Sequence, residues 1–122
     1  MTTVLIVDDS RVSRMMLQSY AQKLQPDWRY LEAASGDEAI QVAEGEAIDL
    51  AIFDVNMPGI SGLDAAAALR QSQPQTSIVI LTANVQQSTR DKAQELGVHF
   101  VQKPVTADST AHILSLLGAS HV

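Results

Sequence analysis

Leu50-Ala51-Ile52-Phe53-Asp54-Val55-Asn56-Met57-Pro58-Gly59 is the stretch on which the reading of this chain turns. Its first four residues are apolar without interruption, the pattern of a strand buried on both faces. The run stops at an acid, Asp54. Pro58-Gly59 then predicts a turn, because proline presets φ and glycine tolerates φ > 0. An acid at the C-terminal tip of a buried strand lies where open α/β sheets bind their ligands.

Working outward, the same pattern recurs. Residues 4–7 form a short β-branched apolar run that ends in Asp8-Asp9. Ser10 then caps a helix in which Val12, Met16, Tyr20 and Leu24 recur every four residues, with Leu17 and Ala21 beside them. That spacing predicts an amphipathic stripe, and Pro26 lies beyond its end. Residues 30–33 predict a second strand, with Trp28 just before it at the end of the sheet opposite Asp54. Ser35 caps a second helix whose Asp37 and Glu38 favour the positive end of the dipole; Ile40, Ala43 and Ala47 are expected to face inward. Ser61 or Gly62 precedes an alanine-rich third helix from Leu63 to about Gln71. Residues 78–81 predict a fourth strand ending in Thr82-Ala83-Asn84. The segment 85–96 predicts a helix with few apolar residues, weakly held and closed by Gly97. Residues 99–101 predict a fifth strand followed by Gln102-Lys103-Pro104, and residues 106–117 a last helix closed by Gly118.

Five strands alternating with five helices imply an α/β fold, a parallel sheet with helices on both faces in three layers. The 122 residues suit one domain, residues 1–122. Met1 stands just before the first strand, so a natural start is expected there. The end after the fifth helix leaves room for a longer protein. No apolar run has the ~18–20 residues of a membrane span, and no signal peptide is visible. Without cysteine there is no disulfide framework or thiolate metal site. A cytoplasmic protein follows. A net charge of −6 opposes a nucleic-acid surface. His99, His112 and His121 lack metal-ligand spacing.

In a parallel sheet all C-terminal strand ends share one edge. Asp8-Asp9, Asp54, Thr82 and Lys103 therefore converge there. Three carboxylates in one place repel one another and call for a cation. Mg²⁺ suits their oxygen ligands, with Mn²⁺ able to substitute. Asp9 and Asp54 are the expected direct ligands, Asp8 direct or through water, and Asn56 a donor through its backbone carbonyl. Lys103 adds a point charge and Thr82 a hydroxyl. Together they suit a phosphoryl group, which a carboxylate can accept as an acyl phosphate; Asp54 is the expected acceptor.

These residues carry a resemblance. Asp8 and Asp9, Asp54, Met57-Pro58-Gly59 with Gly62, Thr82-Ala83 and Lys103-Pro104, in that order and each after a strand, make the chain similar to response-regulator receiver domains of the CheY type over essentially its whole length. The resemblance implies a flavodoxin-like (βα)5 fold with strand order 2-1-3-4-5 and a cis Lys103-Pro104 bond. It implies Mg²⁺-dependent phosphorylation of Asp54 by a sensor histidine kinase or histidine phosphotransfer protein. Phe100 matches the family's switch aromatic, with packing alone to report the state, and Asn56 and Asn84 match positions that modulate phosphoryl lifetime. A downstream partner would then read the face of the fourth helix, fifth strand and fifth helix. The domain would catalyse only its own phosphorylation and dephosphorylation, as a monomer or weak dimer.

Other readings carry less. The chain could be the N-terminal receiver of a longer regulator. A Mg²⁺-dependent phosphohydrolase of the haloacid dehalogenase type needs two acids two residues apart after the first strand. Asp8 and Asp9 are adjacent, and no cap domain fits the length.

Overall fold

The computed structural model describes residues 2–55, 61–83 and 86–117. Its strands are β1 (Thr3–Val7), β2 (Arg29–Ala33), β3 (Leu50–Phe53), β4 (Ser77–Thr82) and β5 (His99–Gln102). Its helices are α1 (Arg11–Leu24), α2 (Gly36–Gly45), α3 (Gly62–Ser72), α4 (Gln87–Leu96) and α5 (Ala107–Ser115). The sheet order is β2-β1-β3-β4-β5, with every neighbouring pair parallel. The chain winds outward from β1 to β2 and then crosses back to β3. The switch point therefore falls between β1 and β3.

Side-chain alternation divides the core. Leu5, Val7, Ala51, Phe53, Ile78 and Ile80 face one way, against residues of α2, α3 and α4. Val4, Ile6, Leu50, Ile52, Val79 and Leu81 face the other way, against Leu17 and Ala21 of α1 and Ile113 and Leu114 of α5. Helices on both sides explain why β1, β3 and β4 read as unbroken apolar runs. Edge strand β2 carries exposed Arg29 and Glu32 instead. Trp28 is half-buried just before β2, beside the end where Thr3 pairs with Arg29 and away from Asp54.

The caps follow the sequence. Ser10, Ser35, Ser61 and Thr106 each accept the N–H three residues ahead through the side-chain oxygen. Ser61 is thus the α3 cap and Gly62 its first residue. At α4 the cap residue Gln86 makes no side-chain cap bond, and only Thr89 and Ala93 are buried. Gly97 closes α4 in the left-handed region, φ 68°. The Lys103-Pro104 peptide is cis, as the resemblance implies. Gly118 lies outside the described residues.

Two expectations about helix faces fail. Within α1 only Leu17 and Ala21 are buried, while Val12, Met16 and Leu24 are exposed and Tyr20 is half-buried. Successive helix positions differ by about 100°, so the row beginning at Val12 turns away when the 17–21 row meets the sheet. Ala47 is exposed because it follows the end of α2.

Long polar side chains tie the edge opposite Asp54. The Gln73 carboxamide donates to the carbonyls of Ala43 (2.9 Å) and Glu46 (2.8 Å) and accepts the Ile48 N–H (2.7 Å). Thr76 donates to the Ile48 carbonyl at 2.6 Å. Gln73 thus joins the ends of α2 and α3 to the start of β3. Gln73→Ala is expected to cost about 2 kcal/mol in urea unfolding, because it orphans backbone groups. Tyr30 plays a similar part at the end of α1, its hydroxyl lying 2.8 Å from the Gln25 carbonyl and 3.1 Å from that of Ala21. Burial raises its pKa above the ordinary 10.0. The neutral phenol is the donor, so this contribution is complete below that ordinary value and is lost as pH rises through the raised one. Tyr30→Phe should cost up to about 1 kcal/mol at neutral pH. It should also blunt the alkaline fall in the urea midpoint.

Candidate functional site

Ladder hydrogen bonds carry order past the strand ends. The Asp8 N–H donates to the Ala33 carbonyl (3.1 Å), the Asp54 N–H to that of Val7 (2.9 Å), and the Lys103 N–H to that of Thr82 (2.9 Å). Asp8, Asp54 and Lys103 are thereby held nearly as firmly as strand residues. The first two straddle the switch point.

Asp8, Asp9 and Asp54 each offer a carboxylate oxygen, and these atoms lie within 4.8 Å of one another. Asp8 and Asp54 are buried and Asp9 is exposed. This all-oxygen set, open on the Asp9 side, fits a hard divalent cation that retains water. The donor chemistry therefore agrees with the Mg²⁺ expectation, and Asp8, Asp9 and Asp54 are the residues that would hold it. Asn56, and with it the backbone-carbonyl ligand, lies outside the described residues. So do Asn84, His121 and Met57-Pro58-Gly59.

The Lys103 ammonium stands between two of the acids, 3.0 Å from Asp8 and 3.9 Å from Asp54. It is closer to Asp8 than to the expected acceptor. It supplies a counter-charge in a half-shielded place, where a Coulomb term counts for more than at the surface. The second Asp8 oxygen accepts the Ser10 N–H at 2.9 Å, so one carboxylate links three segments. Thr82 is fully buried at the end of β4, beside Lys103 through the backbone bond.

Phe100 is half-buried on β5, and the Arg90 guanidinium of α4 lies 4.9 Å from its ring centroid. This cation–π contact adds an electrostatic link to what the sequence read as packing alone. Arg14 is a second residue that sequence reasoning missed. Its guanidinium donates to the Asp8 carbonyl (2.6 Å) and to Glu32 (3.0 Å). One signal was available, since a cation near a helix N-terminus opposes the macrodipole and calls for another partner.

The comparisons with known proteins agree with this geometry. The family profile described as "Response regulator receiver domain" matches residues 4–115. Autoinducer 1 sensor kinase/phosphatase LuxN of Vibrio campbellii is 35% identical over 112 residues, which are 92% of this chain and 13% of that protein. Sensor protein EvgS of Escherichia coli is 32% identical, covering 98% of this chain and 10% of its own length. The chain thus spans about a tenth of these curated relatives. Among solved structures, Vibrio cholerae chemotaxis protein CheY4 superposes with a TM-score of 0.86 at 28% identity, covering 96% of this chain and 98% of that one. Response regulator protein TrrA from Thermotoga maritima, in complex with Mg²⁺-BeF, gives 0.84 at 28% identity, covering 96% and 99%. With the strand order, the acid cluster at the switch point and the profile match in agreement, the chain belongs to the response regulator receiver domain family.

Proposed function

We propose that Asp54 is the phosphoacceptor of this receiver and that residues 1–122 form one receiver domain. The observation that carries the reading is the meeting of Asp8, Asp9 and Asp54 at the switch point with Lys103 between Asp8 and Asp54. Receiver domains are signalling domains of two-component systems rather than conventional enzymes, and their phosphoryl partners are histidine kinases or phosphotransfer proteins.

An Asp54 carboxylate oxygen attacks the phosphorus of a phosphohistidine. The P–N bond breaks, the imidazole leaves, and an acyl phosphate forms. Mg²⁺, or Mn²⁺ in its place, neutralises charge on the acids and on the transferring group when bound. Asp8, Asp9 and Asp54 would hold the cation. Lys103 and Thr82 meet the phosphoryl oxygens, Lys103 by charge and Thr82 by its hydroxyl. Asn56, two residues past Asp54, and Asn84, two residues past Thr82, modulate the lifetime. Phe100, under Arg90, then reports the state to a protein partner on the α4-β5-α5 face by a shift between two populations. Among the described residues no helix is long and apolar enough to cross a membrane, and the reading places the domain in the cytoplasm.

The similarity to two sensor kinases favours a relay position, in which the phosphoryl group passes on to a histidine phosphotransfer protein. Intact-protein mass after incubation with acetyl phosphate and Mg²⁺ tests the acceptor chemistry. One phosphoryl adduct is expected, and none after chelation. No adduct, together with no beryllofluoride binding by fluorine NMR, overturns it.

A further inference from the structure

Asp8 is anchored at several points, and one anchor comes from outside the recognised set. Its N–H reaches Ala33, and its two carboxylate oxygens take the Ser10 N–H and the Lys103 ammonium. Its carbonyl lies one residue beyond Val7↔Ala33, the last strand pair of β1 and β2. There the ladder has ended, and the Arg14 guanidinium supplies the donor at 2.6 Å. The same fork reaches Glu32 of β2 at 3.0 Å, with the Arg14 side chain largely buried. One side chain therefore bridges α1, the β1–α1 junction and the edge strand.

We propose that Arg14 is a positioning residue for divalent-cation binding. By gripping the Asp8 carbonyl and bracing against Glu32, it fixes the backbone from which Asp8 and Asp9 project toward Asp54. The inference rests on the reading of that cluster as a cation site. Groups that orient metal ligands typically contribute 10–100-fold in affinity, since a displaced ligand loses its geometry even when its charge remains.

Charge alone predicts the opposite sign. Removing a cation near three acids would tighten the binding of a divalent ion. Glu32 already neutralises Arg14 at 3.0 Å, so the guanidinium projects little net charge toward the acids. The mechanical effect therefore outweighs the Coulomb one. The two accounts also separate in a conservative variant: lysine keeps the charge but lacks the planar fork that serves two acceptors at once.

Isothermal titration calorimetry with Mg²⁺ on the intact chain decides the matter, with far-UV circular dichroism as the check on folding. Wild type is expected to bind one ion. Arg14→Met is expected to bind about tenfold more weakly while remaining folded, and Arg14→Lys to fall between the two. Wild-type or tighter binding by Arg14→Met overturns the proposal and leaves the cation site standing. An absence of Mg²⁺ binding by wild type overturns the cation-site reading and this inference with it. If Arg14→Met does not fold, Arg14→Lys carries the test, with affinity equal to wild type counting against the fork.

Discussion

Asp54→Asn gains no phosphoryl mass from acetyl phosphate and Mg²⁺ under conditions that label the wild type. The expected loss is complete, because the carboxamide oxygen is a poor nucleophile and forms no acyl phosphate. A second effect accompanies it. Asp54 is one of three carboxylates whose oxygens lie within 4.8 Å of one another, and the substitution removes one negative charge from a buried group. Mg²⁺ affinity should fall roughly tenfold or more, since a loss of 1.4 kcal/mol is already tenfold. Lys103 remains close to Asp8 at 3.0 Å, so the fold should persist without the Asp54 charge. Intact mass measures the first effect and calorimetric titration the second. An adduct retained on the variant would move the acceptor to Asp8 or Asp9, and peptide mapping would identify which.

Gly62→Ala is the other large effect, and local propensity predicts its sign wrongly. Gly62 is the first residue of α3, where alanine is the better helix former by up to ~1 kcal/mol. The surroundings decide otherwise. A Cβ on Gly62 would lie 1.9 Å from the Asp54 carbonyl oxygen, 2.7 Å from its carbonyl carbon and 3.1 Å from the Val55 Cα. All three are backbone atoms, so no side chain can rotate away. The Gly62 N–H also donates to the Val55 carbonyl at 3.2 Å, which keeps the two segments together. Relief requires α3 to retreat or the backbone of Asp54 to move. Overpacking of this kind costs about 3 kcal/mol. Urea unfolding should show that loss, and labelling of Asp54 should slow as well. A variant as stable as wild type would mean that the α3 entry yields more readily than its contacts indicate.

The elements were legible because their determinants are local. A strand buried on both faces shows as an unbroken apolar run, as at 50–53, and four of the five helix starts carry a Ser or Thr cap. Convergence of Asp8, Asp9, Asp54, Thr82 and Lys103 followed from the alternation of strands and helices, since parallel strands end on one edge. The strand order came from the resemblance rather than from any residue pattern. α4 was legible as a weak helix for the same local reason, its shortage of apolar residues.

What the sequence could not supply depends on which elements become neighbours and how each helix is rotated. The row from Val12 to Leu24 satisfied the helical period, yet the sheet meets the Leu17–Ala21 row beside it. Arg14 with Glu32, Arg90 with Phe100 and Gln73 with Ile48 join segments that become neighbours only after the sheet is ordered. Long side chains find such partners by reach, and reach has no sequence period. The alternating fold, the Ser10 and Ser35 caps and the acids at the functional edge are set locally, because backbone geometry repeats over two to four residues. Tertiary structure alone decided how those acids are braced, which face of α1 is buried and why Gly62 tolerates no side chain. Each of these is a contact between segments whose distance is set by the packed sheet and helices.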